Sequence, residues 1–158
     1  KAAELLKNEL ELISHQNISK WILANVTLHE VLAQINHPLI SKFDSIYAHL
    51  PSKIKKKKLM LIGSKYTMNS EFVRHKFEDF QSDIITAQAD DQDLIESLRL
   101  QFYKKVDKNL AKQIFNHLLK KYADTDYFII LCTEHAIAAS YMKHDKLINL
   151  VDIQCQNF

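Results

Sequence analysis

The chain has 158 residues, of which 47% are hydrophobic and 25% charged, and these proportions are typical of a globular protein with one core or two small lobes. Its net charge of +2 gives no reason to expect a nucleic acid or an anionic membrane as a partner. No apolar run approaches the ~20 residues that span a bilayer, and no leader-like segment precedes a small-residue cleavage site. We therefore expect neither a membrane protein nor a secreted one.

The numbers of cysteines and glycines bear on the cellular compartment and on the kind of ligand site. The two cysteines, Cys132 and Cys155, do not make a disulfide framework, which favours reduced thiols in a cytoplasmic protein. At an average usage of ~7% about eleven glycines would be expected, whereas the chain has only Gly63. Turns that cradle phosphates usually need glycine. Its scarcity therefore argues against a phosphate-binding or dinucleotide-binding site.

Apolar spacing predicts strands that alternate with helices along the whole chain. The predicted strands are 21–24, 59–63, 83–87, 127–131 and 147–151, the predicted helices are 1–16, 27–37, 67–80, 90–106, 108–122 and 136–142, and 43–50 is interpreted as a helix after a short strand. Thr27 and Glu30 form a capping-box pattern at the start of the second helix. The alternation predicts an α/β fold, with a parallel sheet covered by helices on both faces.

A run of lysines, Lys53 to Lys58, precedes the second predicted strand. A nucleic-acid patch is one interpretation of such a run. No aromatic side chain interleaves it and it leads directly into a buried strand, so a solvated connector is favoured.

Polar residues follow the predicted strands. They are 25–27, 64–67, 132–134 and Asp152, and they supply hydroxyls, one thiol and carboxylates. In a parallel sheet covered on both faces, ligands bind at the carboxyl ends of the strands. We therefore expect these residues to converge on one rim, where Asp152 could orient a ligand amine or cap a helix.

Other interpretations of these residues remain open at this point. A cysteine that ends a strand, such as Cys132, is often a small buried hydrophobe. The eight histidines show no metal-ligand spacing. Asp90, Asp91 and Asp93 are more typical of charges at a helix N-terminus than of a metal site.

Two motifs stand directly after predicted strands. Gly63 to Met68 reads Gly-Ser-Lys-Tyr-Thr-Met and is similar to the Gly-Thr-x-x-Thr-Met turn of the aspartate/glutamate racemase family. Leu131 to Glu134 reads Leu-Cys-Thr-Glu and is similar to that family's second catalytic motif, Gly-Cys-Thr-Glu. The resemblance runs from about Ile22 to Asp152 with the motifs in the right order.

The first catalytic motif of that family is only partly present. Asn25 to His29 reads Asn-Val-Thr-Leu-His and is similar to Cys-Asn-Thr-x-His. Thr27 and His29 are kept, whereas Asn25 stands where the family has a cysteine and Val26 where it has an asparagine.

The resemblance implies a cofactor-independent isomerase of acidic amino acids, in which two cysteines flank the α-carbon and exchange its proton. By the same resemblance Cys132 and Glu134 are catalytic, no metal is bound, and the ligand is an acidic amino acid or a related small acid. The implied substrate-binding residues are Asn25, Thr27, His29, Ser64, Thr67 and Thr133. The predicted helix after Cys132 provides a setting that favours a thiolate.

Asn25 limits the activity that this resemblance implies. A carboxamide neither loses nor donates a proton near pH 7, so we expect exchange on one face and a loss of about 10²–10⁴-fold. If another residue such as His29 reached the empty face, activity could survive in altered form. The alternative is a catalytically inactive homologue that binds a small acid or a protein partner.

The resemblance also implies a domain organisation of two lobes. Residues 1–52 would be the remnant of a first α/β lobe that lacks the family's leading strand-turn-helix, and 53–158 a nearly whole second lobe. An incomplete lobe exposes apolar surface that a second copy could cover, so we expect a homo-oligomer such as a dimer.

Overall fold

A parallel sheet lies at the centre of the protein. A computed structural model describes residues 1–13, 23, 25–35, 49–50, 52–78, 80–105 and 107–156. The strands are β1 (Lys58–Ile62), β2 (Asp83–Ile85), β3 (Tyr127–Ile130) and β4 (Leu147–Asn149), in the order β2-β1-β3-β4. All three neighbouring pairs are parallel. Because parallel strands need crossover connections, helices occupy the segments between them.

Eight α-helices and one 3-10 helix surround this sheet within the described residues. They are α1 (Ala2–Ile13), α2 (Val26–Leu32), the 3-10 helix Ser52–Ile54, α3 (Lys65–Asn69), α4 (Glu71–Glu78), α5 (Ala89–Phe102), α6 (Lys108–Lys121), α7 (Thr133–Ser140) and α8 (Leu150–Gln156). No helix among them combines the length and the apolar character that crossing a bilayer requires.

Both faces of the sheet are buried. Met60 and Ile62 of β1 pack in a cluster with α5, α6 and α7, whereas Leu59 and Leu61 pack in a second cluster with α4 and α8. Successive side chains of a strand point to opposite faces, so an unbroken apolar strand needs helices on both sides. The predicted α/β fold, a parallel sheet with helices on both faces, is confirmed.

The N-terminal helices pack on each other and on the sheet. Leu10 of α1 and Leu32 of α2 form a small cluster, and Val26 of α2 joins the apolar cluster of α4 and α8. The predicted strand at 21–24, apart from Leu23, and most of the segment 43–50 lie outside the described residues. The division into lobes at residue 52 stays a prediction.

Two element boundaries differ from the prediction because one side chain ends each element. The predicted helix 67–80 is two helices, since Ser70 has an extended backbone and its hydroxyl accepts the Val73 N–H at 3.3 Å. The predicted strand 147–151 ends at Asn149, whose side-chain oxygen accepts the Val151 N–H at 3.1 Å and starts α8.

The lysine run is exposed. The side chains of Lys53 and of Lys55 to Lys58 lie at the surface, whereas Ile54 between them is fully buried. This arrangement agrees with a solvated connector that leads into β1.

Asp91 ties α5 to α6, and α5 forms one wall of the site described below. Asp91 is 3% exposed. Its Oδ2 atom accepts hydrogen bonds from Lys121 Nζ at 2.7 Å and from the Tyr122 hydroxyl at 2.5 Å, and its Oδ1 atom accepts one from His117 Nε2 at 2.9 Å. Asp91 is therefore a helix anchor, and the described residues contain no group of His, Cys, Asp and Glu that could hold a metal ion.

Replacing Asp91 with asparagine is expected to lower the free energy of unfolding by about 2 kcal/mol at pH 7, because three donors then lose a charged acceptor. Burial acts to raise the pKa of Asp91, but the hydrogen bonds from Lys121, Tyr122 and His117 outweigh it and hold the pKa at about 2. An unfolded aspartate has a pKa of about 3.9. The ionised Asp91 carboxylate therefore contributes to the free energy of unfolding above about pH 4, and this contribution is lost as the pH falls toward 2.

Urea denaturation at several pH values measures this loss. The exposed neighbour Asp90 provides a matched control, and Asp90→Asn should change the free energy of unfolding by less than about 0.5 kcal/mol. Equal losses for Asp90→Asn and Asp91→Asn, or a loss from Asp91→Asn that persists at pH 2, would contradict the anchoring role of Asp91.

Candidate active site

A cavity of about 460 Å³ opens at the carboxyl ends of β1 and β3. Ile62 pairs with Ile130, so the segments after these two strands leave the sheet side by side. Seven of the eight predicted site residues line the cavity: Asn25, Thr27, Ser64, Thr67, Cys132, Thr133 and Glu134. The position and the volume are those of a small-molecule site in an α/β protein, for which ~300–1,000 Å³ is usual.

A hydroxyl cluster forms one side of the cavity. Ser64 caps α3 by accepting the Thr67 N–H at 3.1 Å, and the Thr67 hydroxyl lies 2.9 Å from both the Ser64 and the Thr27 hydroxyls. Gly63 makes room for this turn, because a Cβ atom there would lie 3.1 Å from Thr67 Cβ. The hydroxyl cluster of Thr27, Ser64 and Thr67 therefore joins α2 to α3 at the cavity.

The thiol lies at the start of α7, which begins three residues earlier than predicted. Cys132 Sγ donates a hydrogen bond to Glu134 Oε2 at 2.8 Å, and the Thr133 hydroxyl donates to the same oxygen at 2.9 Å. The Tyr103 hydroxyl, from the C-terminal end of α5, donates to Glu134 Oε1. One carboxylate thus receives three side-chain donors.

Burial and this carboxylate together keep the thiol protonated. Burial raises the pKa of Cys132, and the hydrogen bond and charge of Glu134 raise it further, to about 12, against the opposing backbone N–H groups at the start of α7. Burial also acts to raise the pKa of Glu134, but the donors Cys132, Tyr103 and Thr133 bring it to about 2. The surroundings of Cys132 therefore favour the thiol over the expected thiolate. The pair rests as a neutral thiol beside a carboxylate.

Asn25 caps α2 instead of the predicted Thr27. Its side-chain oxygen accepts the Leu28 N–H at 3.2 Å, so the Thr27 hydroxyl is available to the hydroxyl cluster. Glu30 does not complete a capping box, since its carboxylate accepts the Tyr66 hydroxyl at 2.8 Å and lies 3.2 Å from the Ser70 hydroxyl. Asn25 lines the cavity with no group that titrates near pH 7.

Two further residues that the sequence suggested for the site, His29 as a substrate-binding residue and Asp152 at the rim, lie elsewhere. His29 is 2% exposed, and its Nε2 atom donates to the Leu23 carbonyl oxygen at 2.8 Å, so the structure does not bring it to the cavity. Burial also lowers the pKa of His29. Asp152 lies on α8 and borders a separate cavity of about 230 Å³ together with Asn149. Neither His29 nor Asp152 lines the cavity that Asn25 borders.

Sequence reasoning missed the wall that α5 contributes. Glu96, Arg99 and Tyr103 line the cavity with Tyr66 of α3. Arg99 donates to Glu96 Oε1 from Nη2 at 2.5 Å and from Nε at 3.1 Å, and its Nη1 atom donates to the Tyr103 hydroxyl at 3.3 Å. The spacing of these three residues, three and then four apart, marks one polar face of a helix. That signal was present, but no motif distinguishes it from an ordinary solvated face.

Comparisons with known proteins bear on the fold. No family model matches the chain, and no curated protein matches it in sequence. A candidate Asp/Glu racemase from Yersinia pestis superposes with a TM-score of 0.71 and 18% identity, over 96% of this chain and 70% of that one. An aspartate racemase homologue from Pyrococcus horikoshii superposes with a TM-score of 0.68 and 17% identity, over 98% of this chain and 71% of that one. The resemblance drawn from the sequence is confirmed at the level of the fold, and the protein has the fold of these aspartate/glutamate racemase structures.

Proposed function

We propose that the protein is an aspartate/glutamate racemase-like protein. It binds an acidic amino acid or a related small acid in the cavity and transfers a proton at one face of the α-carbon through Cys132, without a cofactor. The observation that carries this proposal is the thiol of Cys132 in one cavity with the hydroxyl cluster of Thr27, Ser64 and Thr67. Hydroxyl and backbone N–H groups suit a carboxylate, which would leave the α-carbon beside the thiol.

The chemistry of this site is one-sided. Inversion needs one group to take the α-proton and a second group on the opposite face to return one. A Cys132 thiolate takes the proton, the resulting thiol exchanges with solvent, and the same thiol returns a proton to the same face. Asn25 neither takes nor returns a proton. The expected outcome is exchange with retention of configuration.

The resting thiol also limits the rate of this exchange. Because burial and Glu134 raise the pKa of Cys132 to about 12, the thiol stays protonated in nearly all molecules at pH 8. This protonation state favours a second candidate function, a racemase-like module that binds a small acid without turnover.

The proposal includes a cellular setting and an assembly state. A cytoplasmic location is proposed because both cysteines are free. A homo-oligomer is proposed because α1 exposes Leu5 (59%) and Leu12 (72%), an apolar surface that a second copy could cover.

Proton NMR in D₂O with both enantiomers of aspartate and glutamate, alongside a chiral assay, tests the proposed function. We expect slow loss of the α-proton signal without inversion, and no loss for Cys132→Ala. Binding of these acids without exchange would favour the second candidate. Inversion by the unaltered protein would contradict the proposed one-sidedness, and neither binding nor exchange of any small acid would remove both candidates.

A further inference from the structure

The charges that line the cavity do not match a ligand with two carboxylates. Among the described lining residues, Arg99 is the one cation, whereas Glu96 and Glu134 are both carboxylates. Glu30 adds another carboxylate behind the wall, hydrogen-bonded to Tyr66. The described residues that line the cavity therefore carry a formal charge of −1.

Arg99 is already engaged by Glu96. Two guanidinium nitrogens meet Glu96 Oε1 at 2.5 and 3.1 Å, and the two side chains are each only 21% exposed. The other oxygen, Glu96 Oε2, accepts the Lys65 backbone N–H at 3.1 Å, which holds the carboxylate in place. The ammonium of Lys65 pairs with Asp93. No described cation that lines the cavity is thus left without a carboxylate partner.

Glu134 adds a negative charge that no described cationic side chain pairs with. It accepts hydrogen bonds from Cys132, Thr133 and Tyr103, all of them neutral donors. Neutral donors stabilise the carboxylate but do not cancel its charge. An ammonium group of a ligand would be attracted to Glu134, whereas a second carboxylate of the ligand would be repelled by it.

We propose that the cavity selects an amino acid with an uncharged polar side chain, such as asparagine or glutamine, over aspartate and glutamate. The inference rests on the proposed function for the site and its proton transfer, and it replaces the acidic ligand with an amide as the preferred one. One carboxylate of the ligand meets the hydroxyl cluster, the ammonium faces Glu134, and the amide meets Tyr66, Tyr103 and the neutralised Arg99. Specificity here follows from the repulsion of a second carboxylate as much as from attraction.

Isothermal titration calorimetry at pH 7 with L- and D-asparagine, glutamine, aspartate and glutamate tests this selection. In the unaltered protein we expect the amides to bind about tenfold more tightly than the matching acids. In Glu96→Gln the guanidinium of Arg99 loses its charged partner, and the preference should shift by about tenfold toward the acids. Asp90→Asn, at an exposed position of the same helix that does not line the cavity, is the matched control and should leave the preference unchanged.

The outcomes distinguish the proposed selection for amides from the proposed function. Tighter binding of the acids by the unaltered protein, or an unchanged preference in a folded Glu96→Gln variant, would overturn the selection and leave the proposed function standing. Absence of binding by all eight amino acids would overturn the selection and the amino-acid part of the proposed function together. If Glu96→Gln does not fold, the order of affinities in the unaltered protein decides alone.

Discussion

Replacing Glu134 with glutamine should raise the rate at which iodoacetamide alkylates Cys132 at pH 8 by about tenfold or more. The carboxylate raises the pKa of the thiol through a hydrogen bond and through its charge, and glutamine keeps the shape of the side chain without the charge. Burial remains in the variant, so the pKa should fall from about 12 without reaching that of an exposed thiol. Each unit of pKa is a factor of ten in thiolate.

Peptide-resolved mass spectrometry over a pH series measures this change within one molecule. Cys155 is exposed on α8, away from the cavity, and its alkylation rate should be the same in both proteins. The midpoint of the Cys132 profile should move to lower pH in Glu134→Gln. Identical Cys132 profiles in the two proteins would mean that burial alone keeps the thiol protonated, and the carboxylate would then have no part in its chemistry.

The centre of the sheet could be predicted from the sequence because β1 and β3 are apolar on both faces. Residues 59–62 of β1 and 127–130 of β3 are uninterrupted apolar runs, and such runs are typical of strands buried on both faces of a parallel sheet. The boundaries at Ser70 and Asn149 could not be predicted in this way. Each depends on one side-chain oxygen that accepts a nearby backbone N–H, and apolar periodicity does not report such a local hydrogen bond.

Only those site residues that directly follow a strand in the sequence could be predicted. Ser64 and Cys132 follow neighbouring strands, so topology alone places them together. Arg99 and Tyr103 lie on a helix, and their contact with the cavity depends on how α5 packs over the sheet. The prediction that His29 contacts the substrate came from the motif alone. In the structure a hydrogen bond to the Leu23 carbonyl oxygen holds the His29 side chain away from the cavity.

Asn25→Cys is expected to give the protein the ability to invert the α-carbon, at least about 10²-fold faster than a variant without a thiol there. Asn25 is exposed at the cavity, so the introduced thiol should have a pKa near 8.5 and supply thiolate at pH 8. Cys132, a thiol with a pKa of about 12, is suited to the complementary task of returning a proton. The Glu134 contact that hinders Cys132 as a base therefore keeps it protonated for this task.

Asn25→Ser separates this gain from effects on the fold. Serine also caps α2, whereas cysteine is expected to cost about 1 kcal/mol through the lost contact with the Leu28 N–H. The chiral assay, run with reductant and high substrate concentrations, should show inversion by Asn25→Cys and none by Asn25→Ser or by Asn25→Cys combined with Cys132→Ala. Exchange without inversion by Asn25→Cys would mean that this position does not reach the face opposite Cys132. The absence of a cysteine at position 25 would then not explain the one-sided proton exchange. The geometry of the site would differ from that of a racemase, and not only the identity of this residue.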